Sequence, residues 1–172
     1  MENNSLESVA YHEASHAVCS FILHLPFIRI SILPQDDSDG RVSYPEDLPQ
    51  KLLAVEFDLN KRNIHRAEAH IITSYAGVIG EAKFLGAEPH DISYSDQDLI
   101  IDLALCLGSG PEDTKRIIDE SKARATELLN IPENWAAVEA LSAALLFRKQ
   151  ISGRTARKII KEAIQEAQAI GR

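Results

Sequence analysis

The sequence predicts a mainly α fold of the α+β class, with about six helices around one core and a small β-hairpin after the first helix. Three observations predict it. Apolar residues recur at three- and four-residue spacing through most of the chain. Proline and glycine stand where helices would begin and end, and an alternating β-branched run occurs directly after the first helix.

In the first helix Leu6, Ala10, Ala14, Ala17, Val18 and Phe21 share a face, and Asn4 with Glu7 has the form of a capping box. The helix is therefore predicted from Ser5 to Leu23, ahead of Pro26. "FIRISIL" (27–33) alternates and is β-branched, and "GRVSY" (40–44) follows an Asp/Ser/Gly turn, which together predict a short antiparallel hairpin. From Arg62 to Leu85 a helical stripe runs through Ile64, Ala67, Ile71, Tyr75, Ile79 and Ala82, ended by Gly86 in the C′ position. Ser95 is placed to cap a helix reaching Leu107, closed by Gly108. Pro111 and Pro132 each open a further helix, since the first turn has no use for the missing N–H, and the second of these carries Trp135, Val138, Leu141 and Leu145. A last amphipathic helix follows Gly153.

The 172 residues, 45% of them hydrophobic, suffice for one domain with a real core, taken as residues 1–172. The formal net charge of -8 supplies no basic stripe, so neither nucleic acid nor a membrane surface is expected as a partner. Cys19 and Cys106 make neither a CxxC pair nor a disulfide framework. "MENNSLES" lacks the basic start and apolar run of a signal peptide, and the most apolar window is broken by His24, Pro26 and Arg29. A soluble, cytoplasmic protein is the expectation.

Within the first helix, "VAYHEASHAV" (9–18) sets two histidines and a glutamate in an alanine-rich segment. Buried unpaired, such groups would cost several kcal/mol, so they must be exposed, partnered or holding something. His12 and His16 are four apart and lie about 40° apart on the helix, with Glu13 about 100° from His12. This is the geometry of H-E-x-x-H, in which two imidazoles reach one zinc ion and the glutamate takes a proton from its water. The residues thus point to metal binding and hydrolysis. Two histidines and a carboxylate would also suit a non-haem Fe(II) site, but an oxygenase has no evident need of a base at Glu13. His24, His65, His70 and His90 are scattered and expected to be structural or exposed.

"AYHEASHAVCSFIL" followed by "FIRISILPQDDSDGRVSYPED" resembles the start of the peptidase domain of the FtsH family of zinc proteases, where a helix bearing HEAGH leads into a strand, a Gly-containing turn and a second strand. "YAGVIGEAKFLG" (75–86) is similar to the family's LGGRAAEELIFG, "YSDQDLIIDLAL" to its S-N-D-[IL] helix start, and "GRTARKIIKEA" more weakly to its last helix. The resemblance implies a metallopeptidase holding one zinc per chain, with His12, His16 and Asp98 as ligands and Glu13 as general base. It also implies an extended peptide or unfolded segment as substrate, laid along the hairpin edge. Asp98, three residues after Ser95, would suit a capping box equally well, and Asp96, Asp91 and Asp102 follow as alternative ligands. Glu81 is a candidate hydrogen-bond partner behind a ligating histidine.

The chain departs from the family at Ser15, where glycine is usual, at Val78 in place of arginine, and in keeping only Glu81 of two acidic residues. It contains no G-x-x-x-x-G-K-[ST], so hydrolysis would not draw on ATP. Tightly folded substrates should be spared, and the partners expected besides substrate are a second copy of the chain (a homo-oligomer) or a separate ATPase or adaptor. The alternative to an enzyme is a peptide-binding or assembly module that keeps the metal for stability.

Overall fold

Ser5 starts the first helix: its side chain accepts the N–H of Ser8, one residue after the Asn4 cap expected from sequence. In the computed structural model, which describes residues 5–34, 39–45, 60–89 and 92–171, this helix is α1 (Leu6–Ile22). Ala10, Ala14, Ala17 and Val18 are fully buried along it, as their spacing requires. Strands β1 (Arg29–Ser31) and β2 (Arg41–Ser43) then pair antiparallel with Ile30 opposite Val42.

The hairpin is part of a larger sheet than the sequence suggested. β3 (Gln150–Ser152) pairs with the other side of β1, Ile30 opposite Ile151, giving the order β2-β1-β3. Ile30 and Ile151 are both buried, so apolar burial of the paired residues accompanies the three-residue strand, which is too short to carry a period of its own.

The described residues contain five more helices: α2 (Lys61–Leu85), α3 (Tyr94–Leu107), α4 (Pro111–Asn130), α5 (Pro132–Arg148) and α6 (Gly153–Ile170). Gly86 ends α2 in the left-handed region at φ 63°, and Pro111 and Pro132 occupy the opening turns of α4 and α5. α1 is sandwiched between α2 and α5; α2 also carries α3 and α4, and α6 closes over α5. Val138, Leu141 and Leu145 fill the core from α5, and Val78 is buried from α2. Lys83 of α2 ties down the end of α4 by donating to the Leu129 carbonyl at 2.7 Å and to Asn130 Oδ1 at 3.0 Å. No described helix is long and apolar enough to cross a membrane.

α1 and α2 approach closely because small residues face each other. Tyr11 stacks on Phe84 with ring centroids 4.0 Å apart, and one turn further Ser15 lies over Gly80, its hydroxyl donating back to the Tyr11 carbonyl at 2.7 Å. A Cβ at Gly80 would overlap the Ser15 hydroxyl. Gly80→Ala is therefore expected to destabilise the fold. Overpacking costs about 1–3 kcal/mol, more than the roughly 1 kcal/mol that alanine gains in helix propensity. Adding Ser15→Gly in the same chain should restore the melting temperature, and a double variant as unstable as Gly80→Ala alone would show that the clash lies elsewhere.

Candidate metal centre

The same two helices bring a second pair of stripes together. Ser8, His12 and His16 recur every four residues on α1, as do Thr73, Gly77 and Glu81 on α2, and the two rows run antiparallel. Glu81 meets Ser8 and His12, Gly77 faces both histidines, and Thr73 meets His16.

Each histidine is held by its Nδ1. His12 Nδ1 lies 2.9 Å from Glu81 Oε2, and His16 Nδ1 lies 2.7 Å from the Thr73 carbonyl oxygen. Because a carbonyl and a carboxylate only accept, both rings carry their proton on Nδ1 when neutral and present a bare Nε2. Both Nε2 atoms converge on Gly77. A Cβ there would stand 2.5 Å from His12 Nε2 and closer still to His16 Nε2, so the missing side chain leaves the gap in front of them.

Burial lowers the pKa of His16 well below the ordinary imidazole value, and the neighbouring His12 adds to that, keeping it in the neutral form that binds metals. Burial also acts to lower His12, but the Glu81 hydrogen bond and the charges of Glu13, Glu81 and Asp96 outweigh it and the net direction is upward.

The third member of the group is Asp96. Ligand atoms of His12, His16 and Asp96 all lie within 4.8 Å of one another, so these residues could hold a metal ion. Asp98, the expected ligand, is exposed and outside this group, being about 200° round α3 from Asp96. The cap differs as well: α3 starts at Ser93, two residues before the expected Ser95. Ser93 Oγ accepts the Asp96 N–H at 3.2 Å and donates to Asp96 Oδ2 at 2.7 Å. The partner of the cap and the candidate ligand therefore coincide in one aspartate. Asp102 is exposed, and Asp91 lies outside the described residues.

Glu13 is buried beside the histidines, 6% exposed, and its Oε2 has no hydrogen-bond partner among the described residues. Gly40, at the start of β2, comes so near that a Cβ there would stand 2.8 Å from both Glu13 Cγ and Oε1. Burial pushes the Glu13 pKa up to about 7; Asp96 and Glu81 push the same way, against His12 and Arg41. A carboxyl poised there exchanges protons readily at neutral pH.

Of the remaining histidines, His24 and His65 are exposed, and His70 is buried edge-on to Tyr44 with ring centroids 5.1 Å apart. His90 lies outside the described residues. Sequence reasoning passed over Gly77, Thr73 and Ser8. The signal that could have found them is the four-residue recurrence from Glu81 back through Gly77, which matches that of the histidines. Compared with protein-family models and with curated proteins, the chain has no match in either.

Proposed function

We propose that the chain is a zinc-dependent metallopeptidase of FtsH-like type, hydrolysing peptides or unfolded segments without ATP. The observation that carries the reading is a conjunction: ligand atoms of His12, His16 and Asp96 within 4.8 Å of one another, both Nε2 atoms facing Gly77, and beside them a buried Glu13 oxygen with no hydrogen-bond partner among the described residues. Two imidazoles and one carboxylate, with a further position open, suit catalytic zinc. The departure at Ser15 is also matched, since Gly80 stands where the resembling stretch has alanine.

Zinc held by His12, His16 and Asp96 would supply Lewis acidity and lower the pKa of water toward about 7. Glu13 would take the proton released and pass it to the leaving amine. Glu81 and the Thr73 carbonyl keep both rings in the ligating tautomer, so loading requires no change at Nδ1. β2 is an edge of the described sheet, and a peptide added to it in extended form would pass the Gly40 end that covers Glu13.

The two aspartates of α3 test the assignment. Asp96→Asn is expected to weaken zinc binding by more than the about 10–100-fold that loss of an outer partner costs, and to remove hydrolysis of unfolded casein. Asp98→Asn should leave both as in wild type. Chelation of the wild type should stop cleavage, zinc should restore it, and ATP should change nothing. If zinc-loaded wild type cleaves neither casein nor short peptides, the metal serves a non-catalytic binding or assembly module instead.

A further inference from the structure

Hydroxyl side chains inside helices usually bond back to the carbonyl four residues earlier. Ser15, Thr126 and Ser142 do so here, to Tyr11, Lys122 and Val138. Ser8 is different. Only 2% exposed, it donates its hydroxyl across to Glu81 Oε1, while the other oxygen of the same carboxylate meets His12 Nδ1. Its backbone N–H is taken by the Ser5 cap, so the residue is fixed at both ends.

The arrangement answers a difference between the two histidines. His16 is braced by a backbone carbonyl within α2, which cannot turn. His12 is braced by a side chain whose terminal torsion is soft, and its own side chain is 23% exposed. A hydrogen bond at one oxygen does not by itself hold a carboxylate's plane against rotation about such a torsion. A second donor on the opposite oxygen fixes its plane.

We propose that Ser8 is a positioning residue of the metal centre, its hydroxyl locking the Glu81 carboxylate so that His12 keeps its proton on Nδ1 and offers Nε2 to the ion. The inference rests on the metal-binding reading of His12, His16 and Asp96. Ser8→Ala suits the helix and removes only the donor. Against a competing chelator it should weaken zinc binding about tenfold, in the range found when outer hydrogen-bond partners are lost. In a Glu81→Gln background it should have no further effect, and Ser8→Thr should bind zinc like the wild type.

A second readout needs no metal. Ring 15N shifts of His12 in chelated protein should report the Nδ1–H tautomer in wild type and a mixture in Ser8→Ala. Zinc affinity and tautomer both unchanged in Ser8→Ala, while His12→Ala abolishes binding, would overturn the role of Ser8. Equally weak zinc binding by wild type and His12→Ala would instead overturn the metal centre itself.

Discussion

Glu13→Gln is expected to keep one zinc per chain and to lose about 10²–10⁴-fold in peptide hydrolysis, the range that a positioned general base contributes. Glutamine has nearly the shape of glutamate, which matters at a site 6% exposed and closed over by Gly40. Its amide cannot accept a proton from water at neutral pH. Glu13 also stands apart from the group formed by His12, His16 and Asp96, so the ion loses no ligand. Because a buried carboxyl becomes a neutral amide, the melting temperature should hold or rise. Metal analysis, casein cleavage and a thermal melt on the same preparation check all three points. Hydrolysis within about threefold of wild type would remove Glu13 from the reaction, whatever the metal content.

Gly77→Ala should abolish metal binding while α2 stays helical. Zinc sits about 2.0–2.1 Å from imidazole nitrogen, and a Cβ at residue 77 would stand 2.5 Å from His12 Nε2 and nearer to His16 Nε2. The methyl group would therefore take the position of the ion, or drive the two rings apart. Alanine is better than glycine in a helix by about 1 kcal/mol, so loss of metal cannot be put down to failure of α2 to form. Circular dichroism should show the wild-type helix content, and a chelator-competition titration should show no site. Stoichiometric, tightly held zinc in Gly77→Ala would mean that the ion binds on another side of the histidines. The change differs in kind from Asp96→Asn, which removes a ligand and leaves the space.

Much of this was legible from sequence because helix geometry is local. The spacing of His12, Glu13 and His16 places them on one side of any helix, whatever surrounds it. Gly86 in the left-handed region and Pro111 and Pro132 in first turns follow from the backbone of those residues alone. Glu81 was legible as a partner of a histidine, although not which one.

The choice between Asp96 and Asp98 was not legible. Ser93-x-x-Asp96 and Ser95-x-x-Asp98 are both capping boxes by pattern, and they put the acidic residue on opposite sides of α3. What decides is the way α3 lies against α2, burying Ile100, Leu103 and Ala104 and leaving Asp98 and Asp102 exposed. That packing is a long-range contact, and no local preference encodes it. The same holds for β3, whose three residues pair with β1 from more than a hundred positions away.

By itself, then, the sequence determined the helices, the first two strands and the pair of histidines with their glutamate, since these depend on neighbours within a turn or a hairpin. Tertiary structure alone decided which aspartate joins them, that Gly77 leaves the gap, and that Ser8 and Thr73 brace the site through Glu81 and a backbone carbonyl. Each of these depends on the register between two antiparallel helices, where a slip of one residue would turn a different face toward α1.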